Sequence, residues 1–498
     1  MSKVKKLLAI VLTLAMTIAM GMTSFAAEGT NKKISVSGTG ISEATVTYAQ
    51  IVVEDRASTQ GWKFTTAAEE AFVRGWNSVE STKLTAVQVM DELIAAGILE
   101  CGPNDDQQKY NVNAEAGKIT TNAKFSAALA AVESLATTST TAENDAKVFT
   151  APSKGLYVIK AVKTGVTYLP MAAYMNTAGQ NVAVVAKGTE NYITKKLVNE
   201  NDSSINPGDE IEYTVETPYI FIKPEATKTF TVTDTLTNAT FKQNTVIVKI
   251  GQTTLKAGTD YTINEYAGTT GLTIDFGAKY NANYAGQILT ITYTAVADEN
   301  ITAASGVENR VGTTNATGKI VENKPVTFTV IKTNDNDVKL GGATFQLYKD
   351  VPQDTEGAIK LKVGAETKYG LPWGDAKVTS SDGSTKGTAT WDNLDAQDTY
   401  YVKETNAPEG YSLNNTVYVL SGASAQENQE TTWTDTTNNV TYSKTTYTYT
   451  NFNNQTVVDT KLSALPSTGG IGTTIFTIGG CVIMIAAAGL FFASRKKK

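Results

Sequence analysis

The sequence predicts a mainly β protein, built from tandem antiparallel β-sandwich domains that lie between two terminal targeting segments. Residues 191–323 and 324–463 read as Thr-, Tyr- and Val-rich strands separated by Gly, Asn and Asp turns. Residues 27–190 combine similar strands with helical patterns. Each end of the chain carries an apolar run next to basic residues. These observations divide the chain into a signal peptide (1–26), three domains and a C-terminal segment (464–498).

The first 26 residues have the features of a secretory signal peptide. Lysines at positions 3, 5 and 6 precede an apolar stretch over 7–20, which is shorter than a membrane-spanning helix requires. Ser24 and Ala26 supply the small residues that signal peptidase needs for cleavage after Ala26. We therefore expect the chain to be secreted.

The C-terminal segment has the features of a transmembrane helix. Residues 471–494 contain no charge and are followed by Arg495 and three lysines. At ~1.5 Å per residue this run reaches roughly 36 Å, enough for a hydrocarbon core of about 30 Å. The basic tail is expected to remain cytoplasmic.

Composition excludes several classes of function. The 498 residues contain no histidine, which excludes Ser-His-Asp and Cys-His catalysis and His-ligated zinc. Cys481 lies in the apolar run, so Cys101 is alone in the mature chain and no internal disulfide can form. Without the three N-terminal lysines and the four basic C-terminal residues, the formal charge of −6 becomes −13, which argues against nucleic acid as a partner. We expect no metal and no cofactor.

Domain 27–190 is predicted to be β with helical insertions. Residues 84–98 have apolar residues at helical spacing, and Thr85 with Gln88 fits a capping box. Residues 122–136 are a second predicted helix. The predicted strands cover 34–40, 44–53, 154–162 and 180–187.

In domain 324–463, three polar residues share strand faces with apolar neighbours. The two-residue period of a strand directs Lys332, Glu404 and Asn451 to the same side as Val, Phe or Tyr residues two positions away. All three are therefore expected to point inward.

Domain 191–323 repeats this arrangement with Lys195, Asp234 and Asn309. Lys195 is preferred to Lys196 because it shares a face with apolar neighbours. In both domains the lysine lies on the first strand and the asparagine on the last.

Two interpretations of these six residues remain open. Each residue is either an ordinary surface residue or part of a buried ion pair, or the three in each domain react together. Burial favours a neutral lysine and a protonated acid. The amine then attacks the asparagine carboxamide while the acid shuttles protons, which releases ammonia and leaves an isopeptide cross-link.

Residues 401–411 (YVKETNAPEGY) closely resemble the E-box of Gram-positive pilins and collagen-adhesin B-type domains. With residues 327–349 they resemble a complete immunoglobulin-like domain of that type. The resemblance implies that Glu404 promotes a bond between Lys332 and Asn451.

The middle domain is similar to pilin domains that use an aspartate as the promoting acid. That similarity implies the corresponding roles for Asp234, Lys195 and Asn309.

The run Leu465, Pro466, Ser467, Thr468, Gly469 matches the sorting motif of sortase substrates, and the apolar run and basic tail follow it directly. The match implies cleavage between Thr468 and Gly469, a thioester between the Thr468 carbonyl and the sortase cysteine, and resolution by an amine. In backbone pilins a lysine near the end of the first domain supplies that amine. Lys187 stands at the corresponding place.

The resemblance implies a structural, non-enzymatic subunit of a cell-surface pilus, joined through Thr468 to Lys187 of the next subunit. The implied partners are pilus-specific and housekeeping sortases, identical subunits and a peptidoglycan precursor, while a host or surface ligand stays open. The expected location is the cell wall, after transient membrane anchoring. The alternative is a wall-anchored adhesin or accessory pilin, attached through Thr468 but not polymerised.

Overall fold

The computed structural model describes most of the chain in two compact units. The described residues are 22–23, 32–79, 82–100, 123–175, 181–199, 203–220, 229–277, 284–314, 318–427, 430–435, 440–462 and 472–495. One unit comprises residues 1–324 with 425–448, and the other 325–424 with 449–498. The predicted signal peptide lies almost wholly outside the described residues, as do Cys101 and the motif at 465–469.

The N-terminal part of the first unit is mixed β and α, as the sequence predicts. Its strands are β1 (Met22–Thr23), β2 (Lys33–Gly38), β3 (Thr45–Glu54), β4 (Trp62–Phe64), β5 (Thr138–Ser139), β6 (Thr141–Glu143), β7 (Ala146–Thr150), β8 (Gly155–Val162), β9 (Val166–Tyr168), β10 (Met171–Met175), β11 (Val182–Ala186) and β12 (Gly188–Glu190). Its helices are α1 (Glu69–Asn77), α2 (Ala86–Ala95) and α3 (Ala123–Val132), the last followed by a 3-10 turn (Glu133–Leu135).

These strands form two main sheets, ordered β1-β11-β2-β7-β6 and β10-β8-β3-β4, with β5 paired to β3 and a separate β12-β9 pair. The predicted helices are confirmed. α2 begins at the predicted capping box, in which Thr85 Oγ1 accepts from the Gln88 backbone N–H. α1 is a helix that the sequence analysis missed, and it buries Phe72 and Trp76. The Phe72 ring meets the Phe125 ring of α3 edge-on.

The middle part of the chain contributes eleven strands to the first unit. They are β13 (Thr194–Leu197), β14 (Glu210–Pro218), β15 (Thr231–Thr237), β16 (Ala239–Phe241), β17 (Ile247–Ile250), β18 (Thr253–Thr254), β19 (Thr262–Ile263), β20 (Gly271–Asp275), β21 (Ile288–Ala297), β22 (Val307–Thr313) and β23 (Gly318–Asn323). One sheet has the order β13-β14-β21-β17-β18, with β16 on β21. A second sheet contains β19-β20-β15-β22-β23. The apolar side chains of both sheets form one core, with Phe230 and Ile291 among its buried members.

The remaining elements follow residue 324. The strands are β24 (Val326–Asn334), β25 (Thr344–Asp350), β26 (Ile359–Val363), β27 (Glu366–Pro372), β28 (Lys377–Val378), β29 (Thr388–Leu394), β30 (Tyr400–Asn406), β31 (Val417–Val419), β32 (Ser424–Glu427), β33 (Thr431–Asp435), β34 (Val440–Thr445), β35 (Tyr447–Thr450) and β36 (Gln455–Asp459), and the helix is α4 (Gly472–Arg495).

The second unit contains two sheets with a core between them. Their orders are β29-β24-β36 and β26-β27-β25-β30-β31, with β28 on β25. β24 and β36 run parallel, while β24 and β29 run antiparallel. The core includes Phe328, Trp391 and Tyr400.

The hairpin β33-β34 belongs to the first unit although its sequence lies beyond residue 324. β34 pairs parallel with β23 and extends the sheet of the middle part to seven strands. Lys444 Nζ lies 2.7 Å from Glu322 Oε2, and Lys319 contacts Glu430. Residues 425–448 therefore interrupt the stretch predicted as one domain (324–463), and the three domain boundaries remain a prediction.

α4 has the length and composition of a membrane-spanning helix. Its residues Ile475–Arg495 include an 18-residue stretch with a mean hydropathy of 2.3, and none of that stretch is buried.

Candidate cross-linking sites

The middle part of the chain brings its three predicted residues together between two sheets. Lys195 lies on β13, whereas Asp234 and Asn309 lie on β15 and β22 of the facing sheet. All three are buried, and the neighbouring Lys196 is exposed. Strand alternation thus directs Lys195 into the core and Lys196 out of it, as the sequence predicts.

The lysine amine lies between the acid and the carboxamide. Lys195 Nζ donates to both carboxylate oxygens of Asp234 at 2.8 Å and contacts Asn309 Oδ1. The rings of Tyr213 and Tyr293 flank the amine, with centroids at 5.1 and 5.4 Å. The Lys195 amine therefore contacts both the Asp234 carboxyl and the Asn309 carboxamide.

Burial shifts both titratable groups towards their neutral forms. It lowers the pKa of Lys195 to about 8, although Asp234 opposes that shift. Burial also raises the pKa of Asp234, against the effect of Lys195. A neutral amine beside a protonated acid is the combination that nucleophilic attack on an amide requires.

Lys332, the second predicted cross-linking lysine, also lies in a buried polar site, but its partner differs from the predicted one. Lys332 on β24 is fully buried; its amine contacts Asp459 Oδ1 and lies 3.1 Å from Glu404 Oε1. Asp459 is on β36, the parallel neighbour of β24, while Glu404 is on β30 in the other sheet. Glu404 and Asp459 are each 1% exposed.

Asn451, the predicted partner of Lys332, does not point inward as the strand pattern predicts. It is exposed, follows the end of β35, and its Oδ1 accepts from the backbone N–H of Thr327. Thr327 is five residues before Lys332 on β24, which separates the two by roughly 16 Å along an extended strand. Alternation along β35 ends at Thr450, so the parity argument does not extend to Asn451.

The Lys332 site contains two buried carboxyl groups, those of Glu404 and Asp459. Burial raises the pKa of Glu404, although the Asn414 backbone N–H and Lys332 both oppose the shift. Glu404 Oε1 and Asp459 Oδ2 have no hydrogen-bond partner among the residues that the structure describes. A buried oxygen in this state is costly as a carboxylate, so Glu404 favours the protonated form.

Lys187 lies between β11 and β12 at the end of the N-terminal part. It is half-buried, its carbonyl accepts from the Leu169 backbone N–H at 3.1 Å, and burial lowers the pKa of its amine. The glycine after it is required by packing, since a Cβ on Gly188 would come within 2.8 Å of the Tyr168 ring. The position of the lysine is therefore fixed by the strands on each side.

Two segments of the chain match family models. Residues 326–437 match the prealbumin-like fold domain of the SpaA family. Residues 457–498 match the LPXTG cell wall anchor motif. The chain is a cell-wall-anchored surface protein. These matches confirm the resemblance inferred from residues 401–411 and 465–469, and the mainly β structure confirms the predicted fold class.

Several solved structures of pilins are similar to this chain at low sequence identity. The T6 backbone pilin of serotype M6 Streptococcus pyogenes is 16% identical, with 86% of this chain and 98% of that chain covered and a TM-score of 0.48. The full-length major pilin SpaD from Corynebacterium diphtheriae is 17% identical, with 87% and 98% covered and a TM-score of 0.39. BcpA, the major pilin subunit of Bacillus cereus, is 18% identical, with 65% and 90% covered and a TM-score of 0.38. No curated protein matches the chain.

Two residues of these sites were missed from the sequence. Asp459 shares strand parity with the buried Val457 in "QTVVDT", the same signal that selected the other polar residues. Tyr293 has no such signal, because on the apolar face of "ILTITYTAVA" it is indistinguishable from a core aromatic residue.

Proposed function

We propose that this chain is the structural backbone subunit of a covalent cell-surface pilus. A sortase joins Thr468 of one subunit to Lys187 of the next, and two internal amide bonds stabilise each subunit. The proposal is carried by the two buried sites, in which Lys195 and Lys332 each hold an amine against an acid and an acyl group. A lysine buried this deeply is costly unless its charge is removed or matched, and an amide bond removes it permanently.

The link between subunits follows from the anchor motif. Cleavage after Thr468 leaves an acyl-enzyme that an amine must resolve. Burial lowers the pKa of Lys187, which raises the fraction of its amine that is neutral and nucleophilic at neutral pH. The chain acts here as a substrate, and the turnover belongs to the sortase.

The two internal bonds differ in what they release. In the middle part, the Lys195 amine replaces the amide nitrogen of Asn309 and ammonia leaves. In the second unit, the Lys332 amine replaces one oxygen of the Asp459 carboxyl, which leaves as water. The residues joined are 114 and 127 positions apart, so by the loop-entropy relation each bond contributes about 5 kcal/mol. A chain without disulfides gains durability in this way.

An immunoblot of wall extracts in SDS tests the proposal. The wild-type chain should give a ladder of high-mass bands. Lys187→Arg should collapse the ladder to a single band, because a guanidinium keeps the charge but is not acylated. Lys196→Arg, on the exposed lysine nearby, is the matched control and should keep the ladder. A single band from the wild type would instead support an anchored adhesin or accessory pilin.

A further inference from the structure

The Tyr293 hydroxyl lies between the acid and the leaving group of the middle site. Tyr293 is on β21, directly opposite Tyr213 of β14, and is buried. Its hydroxyl donates to Asp234 Oδ2 at 2.5 Å and accepts from Asn309 Nδ2 at 2.9 Å. Nδ2 is the nitrogen that must leave as ammonia if Lys195 and Asn309 become joined.

We propose that Tyr293 is a catalytic residue for the Lys195–Asn309 cross-link, relaying a proton from Asp234 to the departing nitrogen of Asn309. The inference rests on the cross-link proposed above. An amide nitrogen leaves only after it has gained a proton, since an amide anion is too basic to depart at neutral pH.

The proton transfers balance around a closed path. The neutral Lys195 amine attacks Asn309 Cγ and forms the Nζ–Cγ bond. As the Cγ–Nδ2 bond breaks, Tyr293 gives its hydroxyl proton to Nδ2 and takes the proton of the Asp234 carboxyl, which becomes a carboxylate. That carboxylate then takes one proton from Nζ. Ammonia leaves, the Asp234 acid and the Tyr293 hydroxyl are both restored, and no further reactant is needed.

The surroundings of Tyr293 favour a role as a proton relay over a role as a general base. Burial and the neighbouring Asp234 raise the pKa of Tyr293 well above its usual value, so its hydroxyl stays protonated. Both oxygens of Asp234 accept hydrogen bonds from the Lys195 amine. The Tyr293 hydroxyl connects Asp234 to Nδ2 of Asn309. A neutral hydroxyl that donates and accepts at once can pass a proton without becoming charged.

The Lys332 site in the second unit can be compared with the Lys195 site. There the aromatic ring over the Lys332 amine is Phe345, at 5.8 Å, which has no hydroxyl. The acyl group is the Asp459 carboxyl, whose leaving group is water, and Glu404 lies beside the amine. The tyrosine thus accompanies the site in which an amide nitrogen must leave.

Tyr213 supplies a matched control. Its ring packs against that of Tyr293 at 5.6 Å and also lies over the Lys195 amine, but its hydroxyl donates to Asn323. Tyr213→Phe and Tyr293→Phe therefore each remove one buried hydroxyl from adjacent rings, and only the second removes a contact to the reacting atoms.

The test follows cross-link formation in the full chain. Peptide mapping after increasing times from synthesis at pH 7 measures the fraction of Lys195 joined to Asn309. Tyr293→Phe should slow the reaction by about 100-fold or more, the usual contribution of a general acid, while Tyr213→Phe should keep the wild-type rate.

If Tyr293→Phe forms the bond at the wild-type rate, the relay is wrong but the cross-link is not. The same conclusion follows if Tyr213→Phe slows the reaction as much as Tyr293→Phe does. Absence of the bond from the wild-type chain overturns the cross-link and the relay together. If Tyr293→Phe does not fold, 3-fluorotyrosine incorporated in place of Tyr293 keeps the ring and hydroxyl but makes the hydroxyl more acidic. The relay predicts a changed rate with that analogue, and an unchanged rate overturns it.

Discussion

Replacing Asp459 tests whether Asp459, and not Asn451, is the partner of Lys332. The Lys332 amine contacts Asp459 on the neighbouring parallel strand, so the amide should join these two residues with loss of water, about 18 Da. Asp459→Ala removes the acyl group and should leave Lys332 unmodified. Asp459→Asn keeps the shape and can still react, but it releases ammonia, about 17 Da. Asn451→Ala is the control at the exposed position and should leave the bond intact.

The size of the stability effect follows from the loop that the bond closes. With 127 positions between the joined residues, loss of the bond removes about 5 kcal/mol. For a domain of about 100 residues, 1 kcal/mol corresponds to roughly 4–8 °C in Tm, so the transition of the second unit should fall by roughly 20–40 °C in Asp459→Ala. The amine left beside Glu404 adds to the destabilisation, since the pair is buried.

Calorimetry and peptide mapping of the full chain provide both readouts. We expect a cross-linked peptide containing Lys332 and Asp459, and a large fall in Tm with Asp459→Ala only. A cross-linked peptide containing Asn451, or loss of the bond in Asn451→Ala, would refute the assignment made from the structure.

Two further predictions concern the first unit. Formation of the Lys195–Asn309 bond should have a bell-shaped pH profile, because the reactive state holds one proton between Lys195 and Asp234. The rate should fall above about pH 8, where the pair loses that proton. It should also fall at low pH, as the pH passes below the raised pKa of Asp234 and the pair gains a second proton. A rate that keeps rising to about pH 10 would contradict this profile. Gly318→Val should detach the β33-β34 hairpin, since a Cβ at Gly318 would overlap the Tyr442 ring. Gly271→Ala is the control, because nothing lies within 4 Å of a Cβ at Gly271 and its φ is not positive. Hydrogen exchange over 440–445 should accelerate in the first variant alone, and unchanged protection would show that the hairpin does not depend on this contact.

The regular strands of the two sites could be predicted because alternation decides burial there. Lys195 and Lys196 are adjacent and chemically identical, and the two-residue period alone separates the buried one from the exposed one. The same rule failed for Asn451, because the strand before it ends at Thr450 and the last strand of the second unit begins only at Gln455. Register depends on where each strand starts and stops, which local sequence specifies poorly.

Other features depend on contacts between distant parts of the chain. The β33-β34 hairpin adds to β23 from more than 100 positions away, and nothing in its own sequence indicates that sheet. Helix α1 is stabilised by Phe72 packing against Phe125 of α3, a tertiary contact that short-range periodicity does not include. The role inferred for Tyr293 rests on the direction of one hydroxyl within a core.

The central claim is that Thr468 and Lys187 of successive subunits are covalently joined. Mass spectrometry of digested high-mass wall polymer tests it directly. We expect a branched peptide in which the Thr468 carbonyl forms an amide with the Lys187 amine. Polymer in which Thr468 is joined only to peptidoglycan, or to another lysine, would contradict it.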